Sequence, residues 1–156
     1  MAELRREVSN FYELKVKEIM QKKGLPLIEK DAPVDHVLSI LTEKTHVWVT
    51  ESKKSKKIVG VITGHDVISI LAPGRPTYTF GLPDMRSPHW GTVEGIMSKR
   101  LVKCSPNGTM KDVLDKMMKY GVRRLPVMKR NNVIVGEIRL YHIIKKFYAV
   151  FRKSAK

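Results

Sequence analysis

The chain has 156 residues, enough for one domain or two small ones with a buried core, and its 42% hydrophobic residues are typical of a globular protein. Its one cysteine, Cys104, excludes an intrachain disulfide and a multi-cysteine zinc site. Lys and Arg outnumber Asp and Glu by 30 to 15, and the resulting charge of +15 attracts nucleotides, nucleic acids, anionic membranes or acidic partners. No apolar run is long enough to span a membrane, and the charged N-terminus does not resemble a signal peptide. We therefore expect a cytoplasmic protein without a membrane partner.

The first group of predicted elements occupies residues 25–71. A short apolar stretch, residues 25–28, precedes a helix whose apolar positions are spaced i, i+3, i+4, i+7. These positions are Val34, Val37, Leu38 and Leu41. Two strands follow, His46–Thr50 and Ile58–Thr63, and the lysine-rich residues 53–57 between them indicate a solvated hairpin tip. A second helix, Gly64–Leu71, ends the group.

Residues 73–92 differ in composition from what precedes them. They contain four prolines and three glycines, which exclude regular structure over most of the segment. They also carry apolar side chains that a bare linker does not need, so we expect them to pin the segment onto the sheets; an interface or a ligand lid is the alternative. These side chains are Tyr78, Phe80, Leu82, Met85 and Trp90.

The second group repeats the order of the first. An apolar stretch, residues 101–104, precedes a helix with Met110, Val113, Leu114 and Met117 at the same spacing. Thr109 and Asp112 are predicted to cap the start of this helix, and Gly121 its end. Two strands, Arg124–Met128 and residues 133–138, and a helix at residues 140–149 complete the group. Cys104 is interpreted as a small apolar residue buried in a strand.

The two groups align as an internal repeat with a constant offset of 76 or 77 residues, which pairs Ile19-Met20 with Ile96-Met97 and Val59-Gly60 with Val135-Gly136. The repeats predict an α+β fold made of two β-α-β-β-α units packed sheet to sheet, because one unit alone leaves an apolar sheet face uncovered. The predicted boundaries are an N-terminal extension 1–13, repeat one 14–72, a linker 73–90, repeat two 91–150 and a basic tail 151–156.

The repeat carries recognisable motifs: "IM" near the start of each copy, "RRLPV" at residues 123–127 and "GVITGHD" at residues 60–66. In this order and spacing the chain resembles a tandem pair of CBS domains, the module named after cystathionine β-synthase, of a stand-alone prokaryotic or archaeal type. The resemblance implies a disc with pseudo-twofold symmetry, called a Bateman module, with clefts that bind AMP, ADP, ATP or S-adenosylmethionine. It implies sensing or regulation rather than catalysis, a homodimer, and a regulated partner protein in trans.

The resemblance also implies a binding site for the nucleoside. Asp66 and Thr63 would hold the ribose hydroxyls, the second repeat would add an apolar wall for adenine, and a pair of arginines would neutralise phosphate. The predicted ligand-binding residues are Val61, Ile62, Thr63, Asp66, Lys99, Leu101, Val102, Arg123 and Arg124. The alternative interpretation is that Thr63 and Asp66 only cap a helix. The two roles are compatible, because a helix N-terminus also attracts anions.

The second repeat departs from the pattern. Arg139 and His142 stand where the first repeat has Thr63 and Asp66, so the ribose carboxylate is missing. The second cleft is either empty or a site for a simple anion bound by Arg139 and His142. Trp48 of the first repeat corresponds to Pro126 of the second, and its bulk either narrows a cleft or stacks on a base.

The histidines show no metal-ligand spacing such as H-E-x-x-H, and no glycine-rich phosphate loop is present. We therefore expect neither an enzyme nor a metal site. The alternative to a nucleotide sensor is a nucleic-acid-binding protein that uses its basic surface, since the C-terminal stretch "KKFYAVFRKSAK" has five cations and no acid.

Overall fold

The computed structural model of the protein describes residues 1–72 and 91–154. The apolar side chains predicted to pin residues 73–90 lie outside the described residues. Contacts divide the chain into two compact units. The central unit comprises residues 26–101, and the terminal unit combines residues 1–25 with residues 102–156. Helices and strands occur together in both units, as the α+β prediction requires.

The central unit contains a three-stranded sheet in the order β1-β2-β3. Its elements are β1 (Leu27–Glu29), α2 (Val34–Leu41), β2 (His46–Thr50), β3 (Ile58–Thr63), α3 (Gly64–Leu71) and the short helix α4 (Val93–Ile96). β1 runs parallel to β2, and β2 runs antiparallel to β3. The side chains that fill its core come from both helices and strands. They are Ile28, Ala32, Val34, Val37, Val47, Val49, Ile62 and Val93.

The terminal unit contains the antiparallel pair β4 (Arg124–Met128) and β5 (Ile134–Arg139). Its helices are α1 (Ala2–Glu13), α5 (Met110–Tyr120) and α6 (Leu140–Ser154), with short 3₁₀ turns at Val16–Glu18 and Arg130–Asn132. The buried core combines residues from the N-terminal segment and the second repeat. It contains Phe11, Val16, Cys104, Met110, Val113, Met117, Leu125, Val127, Ile138 and Ile143.

The segment that leads into each repeat pairs with the strands of the other repeat. Gln21, from the first repeat, exchanges backbone hydrogen bonds of 2.8 and 2.9 Å with Glu137 on β5. Ser98, from the second repeat, exchanges two bonds of 2.9 Å with Val61 on β3. Each structural unit therefore combines strands of one repeat with the leading segment of the other, so the units do not coincide with the sequence repeats. The predicted domain boundaries stay a prediction.

Several predicted elements agree with the structure. The bounds of β2, β3, α3 and β4 are those predicted, and α5 ends directly before Gly121, as predicted. Helix α6 extends beyond the predicted helix, and β5 begins one residue later, at Ile134. Thr109 and Asp112 exchange hydrogen bonds of 3.2 and 3.3 Å at the start of α5. Gly121 follows α5 with φ 65°, the left-handed conformation expected after a helix end.

The strand predicted at residues 101–104 is wrong. Only Cys104 pairs with β4, as an isolated parallel bridge to Val127. In the central unit the equivalent stretch forms the strand β1, which pairs with β2. This pairing includes the N–H of Trp48 on β2, which donates to the carbonyl of Pro26 at 2.8 Å. Pro126 occupies the position of Trp48 in the second repeat and has no N–H to donate, so the ladder stops there. The burial predicted for Cys104 is confirmed.

Candidate functional site

The junction of β3 and α3 forms the Thr63–Asp66 corner. β3 ends at Thr63 and α3 begins at Gly64, so Asp66 lies in the first turn of the helix. Its Oδ2 accepts the backbone N–H of Thr63 at 2.8 Å and the Thr63 hydroxyl at 3.3 Å. The predicted capping interaction is therefore present. Both side chains are half-buried, so the corner remains accessible to a small molecule.

Four further predicted ligand-binding residues belong to the central unit together with this corner. Val61 is half-exposed on β3 and pairs with Ser98. Lys99, which is exposed, and Leu101 follow Ser98 in the chain. Ile62 is fully buried in the core, so its backbone, and not its side chain, is available to a ligand. The corner therefore offers a carboxylate, a hydroxyl and a helix N-terminus beside a partly apolar strand.

The other predicted ligand-binding residues belong to the terminal unit. Val102, Arg123 and Arg124 lie in this unit, with Arg124 at the start of β4. The structure thus assigns the predicted site to two units, and a site that combines Asp66 with the arginines stays a prediction. Burial lowers the pKa of Arg124. Attraction by Glu137 raises this pKa, and repulsion by Arg139 and Arg123 lowers it further.

Arg139 and His142 occupy the β5–α6 junction of the terminal unit. The backbone N–H of Arg139 donates to Nδ1 of His142 at 3.2 Å, in the place where Asp66 caps α3. Burial lowers the pKa of His142, with repulsion from Arg139 and Lys145 acting in the same direction. The two junctions therefore share a backbone geometry but differ in chemistry.

Two residues near this junction were missed by the sequence analysis. Glu137 is buried on β5, and Gln21 reaches the same place from the N-terminal segment, where its Oε1 accepts from Nη2 of Arg139 at 3.4 Å. An acidic residue inside the apolar strand "VIVGEIR" was a usable signal for Glu137. No signal pointed to Gln21, because its position depends on the exchange of leading segments.

An apolar depression, named here the aromatic groove, lies on the terminal unit with a volume of about 470 Å³. Residues from α1, α5 and α6 line it, and several of its aromatic side chains are exposed. The lining residues are Phe11, Tyr12, Leu114, Leu140, Ile143, Ile144, Phe147, Tyr148 and Phe151. Contiguous exposed apolar surface of this kind marks interaction sites.

Two negative observations apply to residues 1–72 and 91–154. These residues contain no group of three or more His, Cys, Asp or Glu side chains arranged to hold a metal ion. No helix among them has the length and apolar character needed to cross a membrane.

The family model of the CBS domain matches the chain twice, at residues 16–73 and 93–149. The chain belongs to the CBS domain family. This confirms the resemblance drawn from the sequence motifs and the doubled arrangement. The leading segments of the two matched repeats are exchanged between the structural units.

Curated relatives of this CBS pair are larger proteins. Homoserine O-acetyltransferase from Methanosphaera stadtmanae is 25% identical over 139 residues, which cover 87% of this chain and 25% of the relative. L-aspartate semialdehyde sulfurtransferase from Methanosarcina acetivorans is 22% identical over 141 residues, which cover 83% of this chain and 25% of the relative. The chain thus spans about a quarter of the length of these relatives.

Solved structures share the CBS-pair fold. The CBS domain pair of protein MJ0100 in complex with 5′-methylthioadenosine and S-adenosyl-L-methionine has a TM-score of 0.68 and 22% identity, covering 87% of this chain and 97% of the other. CBSX2 in complex with AMP has a TM-score of 0.70 and 18% identity, with the same coverage of 87% and 97%. The CBS domain of a bacterial CNNM/CorC family Mg²⁺ transporter has a TM-score of 0.69 and 21% identity, covering 93% and 81%.

Proposed function

We propose that this CBS pair is a regulatory module that binds an adenosyl ligand, AMP, ADP, ATP or S-adenosylmethionine, at the Thr63–Asp66 corner. The observation that carries the proposal is the fixed carboxylate of Asp66, which is anchored through Oδ2 to the Thr63 N–H and remains half-exposed. Complexes of two CBS proteins of the same fold with AMP and with S-adenosyl-L-methionine support the choice of ligand.

The chemistry of the corner suits a nucleoside. A carboxylate accepts hydrogen bonds from both ribose hydroxyls, and Oδ1 of Asp66 has no hydrogen-bond partner within residues 1–72 and 91–154. Val61 and Leu101 supply apolar surface for the adenine ring. Lys99 of the same unit is proposed to neutralise the phosphates.

A matched pair of variants tests the site. Asp66→Ala and Asp112→Ala each remove the acidic residue of a Thr-x-x-Asp helix start, one at the proposed site and one at α5. Calorimetric titration with AMP, ATP and S-adenosylmethionine should show at least about tenfold weaker binding in Asp66→Ala and unchanged binding in Asp112→Ala. Equal affinity in wild type and Asp66→Ala would remove the site from this corner.

We further propose a regulatory and not a catalytic role, exerted on a partner protein in trans, and a homodimer formed through the aromatic groove. Helix α6, one wall of the groove, carries four cations and no acid, whereas α1 has three glutamates against two arginines. These opposite charges favour pairing of α6 in one copy with α1 in the other. Burial of the exposed aromatic side chains would supply the main driving force.

Nucleic acid is a second candidate partner, because the cations of α6 and of the β2–β3 hairpin tip are exposed. These residues are Lys53, Lys54, Lys56, Lys57, Lys145, Lys146, Arg152 and Lys153. A salt titration of binding to RNA and to duplex DNA tests this role, because electrostatic binding weakens linearly in log affinity against log salt. Absence of binding at about 50 mM salt would remove this candidate.

A further inference from the structure

Two arginines oppose each other across the sheet of the terminal unit. Arg124 is the first residue of β4 and Arg139 the last residue of β5, and they are direct partners in the antiparallel register. Side chains at opposed positions start about 5 Å apart at Cβ, where like charges repel. Arg123 precedes Arg124, and α6 begins at Leu140, directly after Arg139. The junction therefore combines three guanidinium groups with the positive end of a 15-residue helix.

One carboxylate lies among these cations. Glu137 is 1% exposed, and its charge attracts Arg124, whereas Arg139 and Arg123 repel Arg124. The charge of Glu137 also raises the pKa of His142, whereas the charges of Arg139 and of Lys145 on α6 lower it. In the described part of the chain Glu137 is the single acid that acts on Arg124 and His142, and cations outnumber it, so the junction keeps a net positive charge.

Arg139 is oriented by neutral neighbours and is incompletely bonded. Its Nη2 donates to Oε1 of Gln21 at 3.4 Å, and its Cζ lies 5.7 Å from the centre of the Tyr141 ring. Its Nε is buried and has no hydrogen-bond partner in the part of the chain that the structure describes. Buried N–H groups in proteins are rarely left without an acceptor, and the arginine fork matches the oxygens of phosphate and carboxylate.

His142 contributes a further donor. Its Nδ1 accepts the backbone N–H of Arg139, so the neutral ring carries its proton on Nε2. The pKa of His142 is below its ordinary value of 6.5, and the ring is therefore neutral at pH 7. The corresponding residue of the central unit is Asp66, which is an acceptor. The second junction thus presents N–H donors where the first presents a carboxylate.

The geometry points to an oxyanion site in the terminal unit, built by Arg124, Arg139 and His142, that binds a phosphate group and excludes a ribose. Hydroxyl groups of a ribose need an accessible acceptor such as Asp66, whereas here His142 takes that position and the carboxylate of Glu137 is buried; phosphate needs the donors that the junction has. Free phosphate and the terminal phosphate of a nucleotide share this chemistry. The site goes beyond the adenosyl ligand proposed above and does not depend on it.

Calorimetric titration of the full chain with inorganic phosphate, ATP and adenosine, at constant ionic strength, tests the site. Arg139→Gln and Arg124→Gln should weaken phosphate binding by at least about tenfold. Arg130→Gln is the matched control, since Arg130 is an exposed arginine of the same unit. Free phosphate is the ligand if inorganic phosphate binds wild type and loses affinity in the two variants. The bound phosphate belongs to a nucleotide if ATP, but not inorganic phosphate, binds wild type and loses affinity in the two variants.

A second measurement separates a binding role from a structural one. Arg139→Gln relieves repulsion between opposed arginines, so its Tm in phosphate-free buffer should equal or exceed that of wild type, while the rise in Tm caused by the bound anion should be lost. A lower Tm without phosphate, unchanged anion affinity in Arg139→Gln, or an equal loss in Arg130→Gln would overturn the inference. Adenosine binding that survives in Asp66→Ala would contradict only the proposed function.

Discussion

Asp66 accepts the backbone N–H of Thr63 at 2.8 Å, and Asp112 accepts that of Thr109 at 3.3 Å, so both repeats contain the same Thr-x-x-Asp capping interaction. The two helix starts differ in their place in the repeat, since Asp66 lies in the helix that follows β2 and β3 whereas Asp112 lies in the helix that precedes β4 and β5. This pairing lets the stability contribution of a cap be separated from any role in binding.

We expect Asp66→Asn and Asp112→Asn each to lower the free energy of unfolding by about 1 kcal/mol, the usual contribution of a helix cap. Hydrogen bonds from Thr109 lower the pKa of Asp112 below its ordinary value of 3.8. The stability that this carboxylate provides is therefore present above pH 3.8 and is lost as the pH falls through the depressed pKa. Urea denaturation between pH 2 and 7 measures the free energy of unfolding. Asp112→Asn should lose less of it than wild type as the pH falls, because the amide cannot be protonated in this range.

Glycines at the strand centres allow the exchanged leading segments to approach closely. A Cβ at Gly60 would lie 2.9 Å from the Ser98 carbonyl, and one at Gly136 would lie 2.8 Å from the Gln21 carbonyl. We therefore expect Gly60→Ala and Gly136→Ala each to destabilise the fold by about 1–3 kcal/mol, measured by urea denaturation.

Gly95→Ala is the control for this pair, because a Cβ there meets nothing within 4 Å. It should be neutral or stabilise the protein by up to about 1 kcal/mol, since alanine restricts the unfolded chain. Losses below about 0.5 kcal/mol in both strand variants would contradict close packing of the leading segments.

The sequence predicted the local elements well and their partners poorly. β2 and β3 follow from short apolar runs with a polar turn between them, and α3 from its Thr-x-x-Asp start; these signals depend on neighbouring residues alone. The exchange of leading segments brings together Gln21 and Glu137, which are 116 positions apart in the chain, and no local pattern encodes such a pairing. The Thr63–Asp66 corner could be found because its motif is local. The contacts of Gln21 and Glu137 at the second junction could not, because they join distant parts of the chain.

Burial of Cys104 gives a prediction for thiol reactivity. Burial raises the pKa of its thiol to about 12, against an ordinary value of 9.0, despite the opposing influence of Lys116. The folded state therefore favours the neutral thiol, and the stability that this provides is present below pH 9 and is lost between about pH 9 and 12. Native protein at pH 8 should react slowly with a disulfide reagent such as DTNB, because the thiolate is the reactive form.

The control for this prediction is the same reaction in urea, where the unfolded thiol should react as fast as free cysteine. Substitution of Cys104 by serine should destabilise the protein by about 1–3 kcal/mol, because a buried hydroxyl replaces an apolar sulfur. Rapid labelling of the native protein, at the rate of the unfolded chain, would show that the thiol is accessible.

Ile144 and Met118 provide a matched test of the aromatic groove as the dimer interface. Ile144 lines the groove and is 58% exposed, whereas Met118 lies on α5, outside the groove lining, and is 86% exposed. In a dimer formed through the groove, Ile144→Glu would place an unpaired charge in an apolar interface and should raise the dissociation constant by about a hundredfold or more. Met118→Glu should leave it unchanged. Sedimentation equilibrium of wild type and both variants at micromolar concentrations measures this, and a wild-type monomer, or a dimer that Ile144→Glu leaves intact, would exclude the groove as the interface.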